Sequence, residues 1–570
     1  LTGRLLALLA CVWVLSGCAN IQDDTVPQII PNSEAPTQKP PQGPAKDAEA
    51  ITVVRDFIRN SGNTTAAQAY LTEEAKRAWH PDNQPTIIED DFSTVPQSPD
   101  KEGDPNQITV EVKGTRMGIL NQDKSFTAQQ GALSQAVRLA KQDGQWRIAQ
   151  VPANGLIVPL IEFNLNYRPV RLYFYDVTKS VVVPDLRYLP AAPSVTPSDV
   201  VQLLLLGPAS SLDGAMRSAL PRTATQRTNA ALAKDNVLVV NLGDIGNPNR
   251  EDKELIAQQV MLSLRDLAST VRIQAEGVPL VPERSEWRAA DVQTLSDKTT
   301  PGAQYPGYVV VNNRMKSLKD LTPVPGPAGS GEYHVESVAQ SGDGSDLALV
   351  ERTNAGLQLR VGNTNVGLRV VYGPTTEMTR PTWQPGLSAN QTGSNEVWTV
   401  ADGAVVRLAR TKDNNWYGLP VDYTSLSKFG KITDLRLSRD GVRVAVVADG
   451  KLYVGAVART DNSTGVTIAA PKLVPRVTSA VSVDWLNPST VMVATNSPTG
   501  PVWRVPVDGV EPERYSLSNL TQPLTSITAA PSRTVVVTDA VGMWGASEVG
   551  QIWQPFEGGQ GPTAHAFYPG

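Results

Sequence analysis

Ser341-Gly342-Asp343-Gly344-Ser345-Asp346-Leu347-Ala348-Leu349-Val350 returns further along the chain as Ser438-Arg439-Asp440-Gly441-Val442-Arg443-Val444-Ala445-Val446-Val447. Each copy is a polar turn feeding an apolar run of strand-forming residues. Weaker copies are Trp383-Gln384-Pro385 leading to Glu396-Val397-Trp398-Thr399-Val400, Trp485-Leu486-Asn487-Pro488 leading to Val491-Met492-Val493-Ala494, and Pro531-Ser532-Arg533 leading to Val535-Val536-Val537. The copies lie roughly 43 to 54 residues apart, the size of one blade of a β-propeller. The Asp-Gly pairs supply the positive φ of tight hairpins between blade strands. No long helical pattern interrupts the stretch 331–570. Its length of about 240 residues, at roughly 40–45 per blade, predicts five or six blades. A β-sandwich of similar size fits the repeated motif less well.

Upstream, the pattern changes to mixed helix and strand over 166–290. Arg171-Leu172-Tyr173-Phe174-Tyr175-Asp176 and Val181-Val182-Val183-Pro184 read as strands. Thr196-Pro197-Ser198-Asp199 opens a helix, with Thr196 as N-cap, Pro197 in the first turn and Asp199 reaching back. Val200, Leu203 and Leu204 face inward, and Gly207-Pro208 stops the helix. Val237–Leu242 reads as a buried strand, and Ile256, Val260, Leu264 and Leu267 as one face of a long helix. Val271–Gly277 is a closing strand and turn. This order, with Leu204-Leu205-Leu206-Gly207-Pro208 and Leu220-Pro221, resembles the GerMN domain of sporulation and germination proteins. That likeness implies an interaction domain with no established activity.

Residues 47–160 read as a first α+β domain. Ile51, Val54, Phe57 and Ile58 share a helical face, and Ala66–Trp79 is expected to continue helical until Pro81. Alternation at Ile108, Val110 and Val112, and apolar Leu133, Val137 and Leu139, predict strands. Asp143-Gly144 is a hairpin signal before Gln145-Trp146-Arg147-Ile148. Helices followed by a curved antiparallel sheet fit the cystatin-like or nuclear-transport-factor-2-like (NTF2-like) type. Residues 291–330 are expected to link this two-domain half to the propeller.

The N-terminus carries a different signal. Arg4 precedes the apolar run Leu5–Leu15, which at roughly 1.5 Å per residue spans only about half a bilayer core. A basic residue before a short apolar stretch reads as an export signal, 1–17. The run ends in Leu15-Ser16-Gly17-Cys18, which resembles the bacterial lipobox. The resemblance implies a diacylglyceryl thioether on Cys18, cleavage before it and acylation of its new amino group. The other reading is an ordinary signal or anchor with an incidental cysteine. Because the chain opens on Leu1, the start of translation is expected upstream or at a non-ATG codon. Residues 18–46 then form a tether with Pro27, Pro31, Pro36, Pro40, Pro41 and Pro44. Extended as polyproline II it reaches at most about 80 Å, and as a flexible coil it averages nearer 30 Å.

Composition removes several function classes. Of 570 residues only two are Cys and three are His, while 44 are Gly and 44 Pro. Cys11 leaves with the signal, so the mature chain has no disulfide partner for Cys18. With 51 basic and 56 acidic residues the formal charge is −5, and no nucleic-acid-binding field is expected. No metal site and no cofactor are expected. His80, His334 and His565 fall in three separate regions and are expected to be exposed, so no triad is expected. Ser425-Leu426-Ser427-Lys428 spells the Ser-x-x-Lys of penicillin-binding enzymes but lacks the companion motifs. Glu89-Asp90-Asp91 lacks a calcium loop around it and reads as solvated. Most of the eleven Trp lie in the repeat region. They are expected in blade cores, with the alternative of exposed rims for a partner or glycan.

Taken over nearly its full length, the chain resembles the LpqB-type lipoproteins of actinobacteria. The phrases that carry the resemblance are Tyr70-Leu71-Thr72-Glu73 with Trp79, Gly144–Ile148, Leu172-Tyr173-Phe174, Val182–Tyr188, Leu437–Gly441 and Leu524-Thr525-Ser526-Ile527. None is a catalytic motif. The resemblance implies a non-enzymatic, lipid-anchored accessory on the extracytoplasmic face of the cell membrane. Its implied partner is the extracellular domain of the MtrB sensor kinase, and its implied role is in MtrA–MtrB signalling, cell-wall homeostasis and division. No partner-binding residue carries over. A cell-wall glycan or peptide-binding module is the second expectation, and a propeller-scaffolded hydrolase the weakest.

Overall fold

The computed structural model describes residues 43–79, 84–97, 104–151, 156–191, 194–292, 299–363, 367–385, 395–460, 465–561 and 563–570. Leu15, Ser16, Gly17 and Cys18, most of the tether, and His80 lie outside the described residues.

Residues 314–317 and 335–567 form the sheets of a propeller together with 308–311. Five blades are four-stranded antiparallel sheets: blade 1 (335–375), blade 2 (382–419), blade 3 (432–478), blade 4 (480–514) and blade 5 (526–560). The sixth is three-stranded and joins the two ends of the region. Its innermost strand His565–Phe567 pairs antiparallel with Tyr308–Val311, which pairs with Arg314–Ser317. The innermost strands of all six blades neighbour one another in a closed ring. Residues 308–317, expected in a linker, therefore belong to the closing blade. Closure by strands from both ends removes the exposed sheet edges that an open array would leave.

The repeated motif is the turn between the first and second strands of a blade. In Ser438–Gly441 the Gly441 N–H donates to Ser438 O at 2.7 Å, and Arg443 N–H donates to Ser438 Oγ at 2.9 Å. The turn at Ser341–Gly344 is built alike, with Asp346 N–H on Ser341 Oγ at 2.9 Å. Gly441 sits at φ +73°, and a Cβ there would lie 1.9 Å from Gln384 Nε2 of blade 2. Glycine thus serves both the turn and the packing of adjacent blades. Trp383, Trp398, Trp485 and Trp553 are fully buried. The indole N–H groups of Trp383 and Trp485 donate to Ala339 O and Arg436 O of the preceding blade, each at 3.1 Å.

The first α+β domain places helix α1 (Ala50–Asn60) on a sheet of order β5-β4-β3-β1-β6, with β2 also on β3. These strands are β1 (Thr86–Ile88), β2 (Ser93–Pro96), β3 (Gln107–Leu120), β4 (Phe126–Gln142), β5 (Gln145–Gln150) and β6 (Ile157–Pro159). All pairs are antiparallel except β1–β6. The expected helix over 66–79 is instead two short ones, α2 (Thr64–Gln68) and α3 (Glu73–Ala78). The break has a tertiary cause: Tyr70–Thr72 pairs with β5, Thr72 N–H donating to Ile148 O and Ile148 N–H to Tyr70 O, both at 2.9 Å.

Helix α4 (Leu160–Asn166) leads into the second domain. There β7 (Tyr167–Asp176) pairs with β8 (Val182–Pro190) and β9 (Met216–Arg217). A second sheet contains β10 (Thr225–Leu232), β11 (Leu238–Gly243), β12 (Thr270–Ala275), β13 (Val278–Pro279) and β14 (Glu286–Arg288). Helix α5 (Pro197–Leu206) has the expected capping box between Thr196 and Asp199. Helix α6 (Arg250–Leu264) crosses between parallel β11 and β12, and Leu267 falls beyond its end, exposed.

Candidate functional sites: the propeller channel and the interdomain cleft

The ring of innermost strands encloses a channel filled with paired charges. Asp484 is buried and accepts from Arg380 Nη2 at 3.0 Å, Thr528 Oγ1 at 2.8 Å and Ala529 N–H at 3.2 Å. Burial alone would raise its pKa, but Arg380, Arg439 and Arg436 hold it below the ordinary carboxylate value. Asp434 accepts from Ser482 Oγ and Val483 N–H, each at 3.0 Å, and ion-pairs with Arg436 at 3.2 Å. Burial and the neighbouring Arg380 pull the Arg436 guanidinium down to about 10.

Arg439, one residue into the repeated turn, blocks one end of the channel. It donates to Pro569 O at 3.2 Å, to Ala529 O at 2.8 Å and to Trp485 O. Toward the other end, at the N-terminal ends of the innermost strands, lies a cavity of about 230 Å³. Its lining comes from all six blades, including Ser337, Arg380, Arg436, Ser482 and His565. His565 was expected to be exposed. It is half-buried instead, with Nδ1 at 3.1 Å from Ser526 Oγ, because its strand is the innermost strand of the closing blade. Burial lowers its pKa.

The second site is where three domains meet. Arg187, fully buried on β8, pairs with Asp185 at 2.7 Å and donates to Asp123 O at 2.5 Å and Gly207 O at 3.0 Å. Tyr188 OH donates to Asp508 of the propeller at 2.6 Å, and Arg443 Nη2 to Pro184 O at 2.6 Å. Lys472 Nζ donates to Thr127 Oγ1 of β4 at 3.0 Å. Val442 and Ala456 of blade 3 pack within the second domain's core, and Val510 within the first domain's. Beside this junction is a cleft of about 320 Å³ lined by Tyr167, Arg168, Arg171, Tyr188, Arg504 and Glu513, among others. Helix α4 borders it through Phe163 and Asn164 and turns Ile161 and Leu165 outward, 57% and 62% exposed.

The motifs weighed for chemistry are used structurally. Glu89 pairs with Arg476 of the propeller at 3.3 Å, and Asp90 accepts from Ile161 N–H at 2.8 Å. Ser425 Oγ donates to Ile468 O at 2.6 Å and Ser427 Oγ to Thr424 O at 2.8 Å, so both hydroxyls are spent on backbone. His334 is exposed. Among the described residues no cluster of three or more His, Cys, Asp or Glu is placed to hold a metal ion. No described Trp is exposed; Trp416, Trp503 and Trp544 are half-buried. The channel charges gave no sequence signal as a group, since Arg380, Asp434 and Asp484 come from three different blades.

Comparison with known proteins agrees with this architecture. Residues 314–569 match the Lipoprotein LpqB beta-propeller domain, and residues 43–164 match the Lipoprotein LpqB N-terminal domain. Lipoprotein LpqB of Nocardia farcinica is 31% identical over 93% of this chain and 91% of its own. That of Mycolicibacterium smegmatis is 29% identical over 95% and 94%. Among solved structures, the tandem GerMN domains of the sporulation protein GerM from Bacillus subtilis align at 20% identity over 26% of this chain and 56% of theirs, with a TM-score of 0.18. With propeller and N-terminal domain both matched and the first relative aligned nearly end to end, the chain belongs to the LpqB family of lipoproteins.

Proposed function

We propose that this chain is a lipid-anchored accessory protein on the extracytoplasmic face of the membrane. Diacylglycerol on Cys18 holds it, and the Pro-rich tether carries a three-domain body outward. That body binds the extracellular domain of the MtrB sensor kinase and modulates MtrA–MtrB signalling in cell-wall homeostasis and division. The observation that supports this reading is the junction. Buried ion pairs and shared cores join the domains into one body, and beside the joint two large apolar side chains, Ile161 and Leu165, face outward. A scaffold of this kind presents a surface, and Ile161 and Leu165, one turn apart on α4, share a helix face there. A second reading, a cell-wall glycan or peptide-binding module, is supported by the Pro-rich tether and by the half-buried Trp416, Trp503 and Trp544.

A photo-reactive residue in place of Leu165 in the full, lipidated chain tests the proposal in membranes. The expected result is a cross-link to the sensor's extracellular domain, with none from the same residue at Leu232, exposed on β10 of the second domain. Capture of the sensor at neither position contradicts the proposal. Cys18→Ala is expected to release the chain from the membrane fraction.

A further inference from the structure

We propose that the interdomain cleft beside α4 takes an acidic, extended peptide segment, with Arg168 and Arg171 meeting its carboxylates. The proposal rests on the reading that this face docks the sensor's extracellular domain, and it names the chemistry of the segment that enters. The first argument is charge. Arg168, Arg171 and Arg504 line the cleft against Glu511 and Glu513. Both acids are engaged: Glu511 accepts from Asn164 Nδ2 of α4, and Glu513 pairs with Arg504 at 3.4 Å. Asp508, outside the lining, accepts from Tyr188 OH and Val510 N–H. Among the described residues Arg168 reaches only Asn164 O, at 3.5 Å, and Arg171 makes no hydrogen bond or ion pair. Both arginines are exposed, so a ligand in the cleft can reach them.

The second argument is that the cleft is preformed. Its walls come from α4, from β7 and β8, and from blade 4. Phe163 packs on the rings of Tyr167 and Tyr188, with centroids 4.8 and 5.0 Å apart. Tyr188 is tied in turn to Asp508 at 2.6 Å, and the Asn164–Glu511 hydrogen bond ties α4 to blade 4. Walls fixed in this way leave little ordering cost for a partner to meet on entry. At about 320 Å³ the cleft admits a few side chains and not a globular surface.

The third argument is the mixture of chemistries. Pro169, Leu186, Pro506 and Val510 supply apolar wall among the charged groups. Helix α4, which borders the cleft, exposes Ile161 and Leu165. A peptide in which carboxylates alternate with hydrocarbon side chains satisfies both kinds of surface. Each free guanidinium offers its planar fork to one carboxylate. A phosphate polymer supplies charge without hydrocarbon side chains and leaves the apolar wall unused.

Fluorescence anisotropy with the full chain at constant ionic strength tests the proposal. The probe is a short labelled peptide of alternating Glu and Leu, compared with its Gln–Leu counterpart and challenged with tripolyphosphate. The Glu–Leu peptide is expected to bind with a Kd of about 100 µM or tighter, at least tenfold more tightly than the Gln–Leu peptide, and to resist displacement by tripolyphosphate. Arg168→Glu/Arg171→Glu changes two exposed positions and is expected to keep the fold while weakening the Glu–Leu peptide at least tenfold. The same variant is expected to bind the sensor's extracellular domain at least tenfold more weakly. No saturable peptide binding below about 1 mM, equal binding of the Gln–Leu peptide, equal binding by the variant, or displacement by tripolyphosphate overturns the proposal. Equal sensor affinity for the unaltered chain and the variant also overturns it, while the docking reading stands. Charge-selective peptide binding with no sensor binding supports the cleft chemistry and contradicts the docking reading.

Discussion

Glu396 and Asp508 are both carboxylates buried where separate parts of the body meet, and their surroundings drive them in opposite directions. Glu396 joins blades 2 and 3. Arg407 Nη2 meets it at 2.6 Å, and Arg459 Nη1 and Nη2 each at 3.0 Å. Burial would raise its pKa, but the hydrogen bond from Arg407 and the charge of Arg459 bring it down to about 2. Asp508 joins blade 4 to the second domain. It receives Tyr188 OH and Val510 N–H, while Lys472 is turned to Thr127. Burial dominates there and raises its pKa. The same side-chain chemistry thus makes a permanent ionic clamp in one place and a reluctant anion in the other. What decides is whether a guanidinium sits in direct contact.

The largest effect is expected from Glu396→Gln, which removes the carboxylate that buried Arg407 and Arg459 share. Breaking such a cluster costs about 3–5 kcal/mol, read as a drop in the urea midpoint of the propeller transition. A loss below about 1 kcal/mol would show that the cluster does not clamp the blades. Next is Tyr188→Phe, which removes a hydrogen bond to a buried carboxylate and is expected to cost about 1.5–3 kcal/mol.

The pH dependence separates the two sites by sign. The folded-state pKa of Glu396 is depressed, so its contribution is complete above the ordinary value of 4.5 and is lost as pH falls toward about 2. Asp508 is raised, so its contribution is greatest below the ordinary carboxylate range and declines as pH rises through it. Urea midpoints between pH 2 and 7 are expected to flatten at the acid end in Glu396→Gln. In Asp508→Asn the expected change is a smaller decline toward neutrality. The smallest effect is expected from Thr196→Ala in the exposed capping box of α5, about 1 kcal/mol by the same measurement, which sets the scale for an ordinary cap.

Local signals were legible in the sequence. The Ser-x-Asp-Gly turns announced the blades because turn and following strand lie within about ten residues. The capping box of α5 was legible for the same reason. Long-range pairings were not. The strand Tyr308–Val311 looks like linker until His565–Phe567 is laid beside it, and that pairing is also what carries His565 into the channel. The helical pattern over 66–79 yields at Tyr70–Thr72 to backbone bonds with Ile148, far away in sequence. The phrases that carried the family resemblance proved informative in another way. Tyr70–Glu73 meets Gly144–Ile148, Val182–Tyr188 holds the interdomain joint, and Leu437–Gly441 and Leu524–Ile527 adjoin the channel.

The most direct test of the proposed function is the affinity of the purified sensor extracellular domain for the full chain, measured against the double variant Ile161→Glu/Leu165→Glu. Both side chains are exposed, so the variant is expected to keep its fold and urea midpoint. The account predicts saturable one-to-one binding to the unaltered chain and at least tenfold weaker binding to the variant, or about 1.4 kcal/mol. Absence of binding, or equal affinity for the two, would contradict it.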